Sequence, residues 1–88
     1  MKAIVTVIGK DKTGIIAAVS NEIYKLGANV EDISQTLMQD YFVMMMMIDV
    51  SKAGDIAEMG KKLSALGEKI GVDIRIQHED IFNSMHRI

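Results

Sequence analysis

The chain has 88 residues, of which 49% are hydrophobic and 25% charged, and its formal net charge is −2. This length suits one domain over residues 1–88, because a second compact unit with its own core would not fit. The weak negative charge gives no electrostatic attraction to nucleic acids or membranes. Since the chain has no cysteine, disulfides and thiolate metal sites are excluded, and we expect neither a metal nor a cofactor.

The first apolar run, Ala3 to Ile8, is interrupted by Gly9. It is too short for the apolar core of a signal peptide, and no run approaches the length of a membrane span. We therefore expect a cytoplasmic protein. A domain this small buries a modest fraction of its surface, so we also expect it to gain stability as a homodimer or a higher homo-oligomer.

The first half of the chain is predicted to form a strand, a helix and a second strand. Residues 3–8 are rich in β-branched side chains, which favours a strand. Thr13 is predicted to cap the helix with its hydroxyl, and Gly27 fits the position just after the helix. Residues 29–39 alternate as a strand does, before a turn at Asp40. The helix itself is predicted from apolar residues at spacings of four, four and three: Ile15, Val19, Ile23 and Leu26.

The second half is predicted to repeat the order strand, helix, strand. Residues 41–50 are almost continuously apolar and include four consecutive methionines, which predicts a buried strand. Residues 51–55 open a second helix that Gly71 closes, and residues 72–77 alternate as a strand with one polar face. The apolar residues of the second helix are Ile56, Met59, Leu63, Leu66 and Ile70, and those of a short helical segment after the last strand are Ile81, Phe82, Met85 and Ile88.

The order β-α-β-β-α-β is typical of the α+β, ferredoxin-like sandwich, a four-stranded antiparallel sheet with two helices on one face. A short C-terminal helix over residues 79–88 completes the prediction. The first and third strands are apolar on both faces, which predicts that they are central. The second and fourth strands each have a polar face, which predicts that they are edges.

The methionine-rich strand must show one set of its side chains on the face that the helices leave uncovered. This set is either Met44, Met46, Ile48 and Val50 or the alternate Val43, Met45 and Met47. Either would form an apolar patch. We therefore expect a partner subunit or the segment after the last strand to cover part of it.

The loop between the first strand and the first helix is the strongest candidate for a site. The N–H groups of Gly14 to Ile16 have no partner within the helix, and the helix dipole favours an anion such as a carboxylate there. Gly14 has no side chain, so a ligand can approach the backbone closely. The alternative is structural, with Gly14 allowing close helix–sheet packing, Asp11 capping the helix and Asn29 ending a turn.

In its motifs and its order of elements, the chain resembles the ACT domain family. The resemblance covers the whole chain and rests on Asp11-Lys12-Thr13-Gly14-Ile15-Ile16 after the first strand and Leu26-Gly27-Ala28-Asn29-Val30 at the start of the second. The methionine-rich strand and residues 79–88 are similar to stand-alone bacterial ACT proteins of the glycine-cleavage-regulator-like (UPF0237-like) group. Members of the ACT family are commonly fused to an enzyme or to a second ACT domain, and we expect this chain to carry neither.

The resemblance implies a small regulatory module that binds an amino acid between two subunits paired side by side, and no catalytic residues. The implied ligand-binding residues are Asp11, Thr13, Gly14, Ile15, Asn29 and Val30. Asp11 could meet an α-ammonium group, and the Asn29 amide can donate and accept hydrogen bonds. We expect the loop to lie beside the start of the second strand, with Asn29 and Val30 coming from the neighbouring subunit.

Other proteins with this order of elements have functions that require side chains which this chain lacks. An RNA-binding sheet needs aromatic residues on its central strands, and only Tyr41 and Phe42 are offered, at one strand end. An acylphosphatase needs an arginine in the first loop, which carries only lysines, and a soft-metal chaperone needs cysteines. His78 and His86 do not have a recognised metal-ligand spacing. A structural or protein-interaction module that binds no ligand stays open beside the amino-acid sensor.

Overall fold

The computed structural model describes residues 2–10 and 13–79, which form four strands and two helices. The elements are β1 (Lys2–Lys10), α1 (Ile15–Lys25), β2 (Asn29–Met38), β3 (Tyr41–Asp49), α2 (Ile56–Ile70) and β4 (Val72–His78). The sheet is antiparallel at every pairing and has the order β2-β3-β1-β4. The ferredoxin-like prediction is confirmed, and so are the central and edge strands predicted from polarity. The short helix predicted near the end of the chain falls on residues 80–88, outside the described residues.

The core lies between the two helices and one face of the sheet. The residues that alternate along β1 and β3 toward the helices are fully buried, and they are Ala3, Val5, Val7, Met44, Met46 and Ile48. Their helical partners in the core are Ile15, Val19, Ile23, Met59 and Leu63. Of the two predicted possibilities, Met44 and Met46 are therefore core residues, and Val43, Met45 and Met47 lie on the other face. Within residues 2–10 and 13–79, no helix is long and apolar enough to cross a membrane.

The two helices begin in different ways. The Asp55 carboxylate caps α2 by accepting a hydrogen bond from the Ala57 N–H at 3.1 Å. The cap residue of α1 is Gly14, in a left-handed conformation with φ 88°, and no side chain of residues 2–10 and 13–79 forms a cap hydrogen bond to this helix. The prediction that Thr13 caps α1 is wrong, because the left-handed turn at Gly14 places Thr13 one residue before the cap position.

Strand β2 is an edge strand that the helices barely cover. All of its residues except the half-buried Val30 are exposed. Ile33 and Leu37, which are 42% and 61% exposed, lie on the helix-bearing side, since they pair with Met46 and Phe42. Two helices do not cover the width of four strands, so β2 keeps both an unpaired edge and an apolar surface.

Candidate functional site

The start of α1 presents backbone donors that have no partner within the helix. The first helical hydrogen bond runs from the Ala18 N–H to the Gly14 carbonyl at 2.9 Å, so the N–H groups of Ile15, Ile16 and Ala17 have no acceptor within the helix. The first turn of the helix contains no acidic residue of its own to interact with the helix dipole. This arrangement is suited to an anion supplied from outside the helix.

Gly14 is a glycine because of its backbone conformation. A Cβ placed on it would meet no atom of the described residues within 4 Å, although its φ of +88° is one that L side chains rarely adopt. Close packing between the helix and the sheet at Gly14 is thus not what the residue provides. The open space instead leaves the helix start accessible.

A small cavity of about 70 Å³ lies at this point, lined by Thr13, Gly14, Ile15 and Ile70. A cavity needs about 10–15 Å³ of such space to hold one water molecule, so this cavity has room for a carboxylate group. The Ile15 side chain is 3% exposed and belongs to the core, so this residue can offer a ligand only its backbone. Asp11, the predicted partner of an ammonium group, lies outside the described residues.

A larger groove separates α1 from the uncovered side of β2. Its volume is about 350 Å³, and its lining consists of Ile16, Gln35, Thr36, Leu37 and Phe42. Because Ile16 is the second residue of α1, the groove adjoins the first N–H groups of the helix. It therefore offers a largely apolar compartment beside the helix start.

The sequence-based prediction did not include the groove residues of β2. A usable signal was present, because Ile33 and Leu37 are four residues apart on an edge strand and so share one face. An apolar face on an edge strand that two helices cannot reach is a candidate contact surface.

Asn29 and Val30 lie at the opposite end of the sheet from the α1 start. The pairing places Asn29 opposite Asp49, and Asp49 opposite Lys2 at the beginning of β1. The loop follows Lys10 at the other end, about 26 Å away for eight residues at roughly 3.3 Å each. The expectation that the loop lies beside the start of the second strand is wrong within one chain, because α1 returns along the sheet and β2 runs parallel to β1.

At its own end of the sheet Asn29 lines a separate polar cavity of about 270 Å³ with Gly27, Asp49, Ser51 and Lys52. The Asp49 carboxylate accepts hydrogen bonds from the Ser51 hydroxyl at 2.6 Å and the Ser51 N–H at 2.9 Å. These bonds lower the pKa of Asp49. The Val30 side chain packs against the core, so of the two predicted β2 residues only Asn29 presents its side chain outward.

One ion pair lies at this end of the sheet. Lys2 lies 2.6 Å from the Glu31 carboxylate, and this hydrogen bond raises the pKa of Lys2. Among the residues that the structure describes, no group of three or more His, Asp or Glu side chains is placed to hold a metal ion.

Comparison with known proteins gives a consistent result. Residues 2–77 match the family model of the ACT domain. The chain is 47% identical over 88 residues to a UPF0237 protein of Streptococcus mutans and 52% identical over 89 residues to one of Clostridium acetobutylicum, and each match covers all of both chains. An ACT domain protein from Streptococcus pneumoniae is 45% identical, with a TM-score of 0.85 over 93% of each chain. The regulatory subunit of aspartate kinase from Thermus thermophilus shares the fold, with 23% identity and a TM-score of 0.67 over 86% of this chain and 50% of that one.

Proposed function

Because the chain belongs to the ACT domain family, whose members are typically regulatory modules that bind small molecules, we propose that it senses an amino acid at the interface of a homodimer. The observation that carries the proposal is the start of α1 at Gly14, where no described side chain forms a cap, beside an apolar groove on an exposed edge strand. Its role is regulatory rather than catalytic.

The geometry of the sheet supports a site shared between two chains. An antiparallel pairing of β2 with the β2 of a second copy would reverse the partner strand. The partner's Asn29 would then lie near this chain's Met38, which pairs with Tyr41 next to Lys10 and the loop. The two halves of the predicted site, about 26 Å apart in one chain, would thus meet across the interface.

Each part of an amino acid finds a suitable group in this arrangement. The α-carboxylate accepts hydrogen bonds from the N–H groups before Ala18. An aliphatic side chain fits the groove between Ile16 and Leu37, and the partner's Asn29 amide accepts from the α-ammonium group. A ligand held by both chains stabilises the pair by mass action, and this coupling is what makes such a module a sensor.

The proposal is tested by a thermal-shift and calorimetric screen of the full chain against the amino acids, with the oligomeric state measured by light scattering. A dimer whose melting temperature rises with one class of amino acid supports it. Gly14→Asp should abolish that rise. Gly54→Asp is the matched control, because Gly54 also has a positive φ (+91°) and open space around its Cβ, but lies before the other helix.

A mixed dimer tests whether the site is shared. Gly14→Asp and Asn29→Ala homodimers should each lose binding. Mixing the two variants should restore one intact site per heterodimer, since one chain then supplies the helix start and the other supplies Asn29. Binding that stays absent in the mixture would place both residues in one chain's site and contradict the shared interface.

A module that pairs with other proteins without a ligand is the second candidate. The small size of the cavity at Gly14 and the exposed apolar surface of β2 favour it. A folded dimer that no amino acid stabilises, with Gly14→Asp indistinguishable from Gly54→Asp in stability and assembly, would select this function over the sensor.

A further inference from the structure

Tyr24 is the most exposed large hydrophobic side chain among residues 2–10 and 13–79. It is 79% exposed near the end of α1, and Ile33 of strand β2 is 42% exposed. Ile16, Ser20 and Tyr24 follow one another at intervals of four residues, so they form one row along the helix. Because Ile16 lines the groove beside β2, this row lies on the side of α1 that faces β2. An exposed aromatic ring beside an apolar edge strand is a candidate contact for another chain.

The level of Tyr24 along the sheet follows from the rise per residue of helix and strand. Ile16 lies beside Gln35 and Leu37 in the groove. The helix from Ile16 to Tyr24 extends about 12 Å, which equals roughly three and a half residues of strand. Since α1 runs in the direction opposite to β2, Tyr24 stands about level with Ile33, near the middle of β2.

The antiparallel pairing of two β2 strands, proposed above, brings the middle of β2 to the twofold axis. With the partner's Asn29 near Met38, Ile33 lies about opposite the partner's Ser34. An axis at this point sets the central residues of the two strands side by side. The Tyr24 side chains of both chains therefore stand over the same short stretch of paired strands.

This stretch of β2 matches the chemistry of a phenol. It presents Ile33 and Gln35 on the side that carries the helices, because both pair with buried methionines of β3. The ring of Tyr24 can cover the apolar side chain of the partner's Ile33, and its hydroxyl can donate a hydrogen bond to the amide oxygen of the partner's Gln35. A tyrosine that becomes buried in an interface usually finds such an acceptor.

We propose that Tyr24 of each chain packs across the interface onto Ile33 and Gln35 of a second copy. Gln35 also lines the groove beside the start of α1, so the partner's Tyr24 forms a wall of that groove which one chain lacks. A ligand side chain in the groove then touches both chains, and Tyr24 limits its length. This contact requires the β2 pairing of the proposed function and adds to it a helix residue that serves both the interface and the site.

NMR on a mixture of two labelled forms of the full chain tests the contact. One form carries ¹³C-labelled isoleucine methyl groups in a deuterated background, and the other is deuterated except at tyrosine. A nuclear Overhauser contact between the Ile33 methyl groups and the Tyr24 ring then joins two chains by design, and Ile33→Val and Tyr24→Phe identify the signals. Tyr41 is the internal control, because it alternates with buried Phe42 and so lies on the other face of the sheet. Its ring should give no contact to Ile33.

The two ways in which this experiment can fail are distinguishable. A chain that is dimeric by light scattering but shows no contact between Tyr24 and Ile33 would overturn the role of Tyr24 and leave the amino-acid sensor standing. A chain that is monomeric at the concentration used would overturn the β2 pairing, and with it both proposals.

Sedimentation of single variants gives a second readout. Tyr24→Ala should raise the dissociation constant of the dimer at least about 30-fold, the effect of losing a central aromatic contact. Tyr24→Phe keeps the ring and removes the hydroxyl, so its constant should lie between those of Tyr24→Ala and the parent chain. Lys25→Ala is the matched control, because Lys25 is also exposed at the end of α1 but points about 100° further round the helix. Equal dissociation constants for Tyr24→Ala and Lys25→Ala would overturn the proposal.

Discussion

Gly67 lies in the middle of α2, at a position where alanine would normally be the better residue. Replacing a helical glycine with alanine usually stabilises a protein by about 0.5–1 kcal/mol. At Gly67, however, a Cβ would stand 2.5 Å from the Val72 carbonyl oxygen and 3.3 Å from Cγ1 of Ile74. The backbone of β4 cannot move away freely, because only Gly71 separates α2 from β4. We expect the overpacking cost of about 1–3 kcal/mol to exceed the propensity gain.

Gly60 in the same helix is the matched control. A Cβ there would meet only Cγ2 of Ile76, at an ordinary contact distance of 3.4 Å. Gly60→Ala should therefore stabilise the protein and Gly67→Ala should destabilise it, with opposite shifts of melting temperature of roughly 4–8 °C per kcal/mol for a domain of this size. Circular dichroism at one fixed protein concentration measures both shifts, since association makes the melting temperature depend on concentration. If Gly67→Ala raised the melting temperature as much as Gly60→Ala, the close approach of α2 to β4 would not be a rigid constraint and the reasoning would fail.

Three further substitutions follow from local geometry. Asp55→Ala removes the cap of α2 and should lower the free energy of unfolding by about 0.5–2 kcal/mol in urea titrations, whereas Asp55→Ser should restore most of it. Gln39 holds a φ of 57° in the β2–β3 turn. Gln39→Gly should therefore raise the free energy of unfolding by about 0.5–1 kcal/mol, and with it the midpoint of the urea titration. A lower midpoint would show that this φ carries no strain. Because the pKa of Asp49 is lowered in the folded protein from its ordinary 3.8, its stabilising effect is complete above that pH and is lost as the pH falls through the lowered value. Ser51→Ala should reduce the loss of stability at low pH. If the free energy of unfolding from urea titrations fell with pH as steeply in this variant as in the parent protein, the loss would come from other groups.

The fold could be predicted almost entirely from patterns along the chain. The polar faces of residues 29–39 and 72–77 identified the edge strands, because water contacts a sheet most easily at its edges. The alternation of polar and apolar residues could not decide which methionines enter the core. In a strand that is apolar on both faces, odd and even positions look alike. Pairing with β1 decides it, by placing Met44 and Met46 beside Val7 and Val5.

The site was predicted less completely. The open start of α1 was visible in the sequence, but the cap was assigned to Thr13 because a hydroxyl usually outcompetes a glycine at that position. The separation of Asn29 from the loop follows from the parallel direction of β1 and β2, which the element order already implied. The groove beside Leu37 depends on how much of the sheet α1 leaves uncovered. This is set by how the helix packs on the sheet, which the order of polar and apolar residues does not predict.

The exposed edge of β2 is also chemically polarised along its length. Its two acidic residues, Glu31 and Asp32, lie near its start, and residues 33–38 carry no charge. A second β2 joining in parallel and in register would bring Asp32 beside its own copy, and like charges opposite each other weaken a sheet. An antiparallel partner would separate the two acidic ends by most of the strand. The strand that is open to association thus discriminates between the two orientations in which it could be joined.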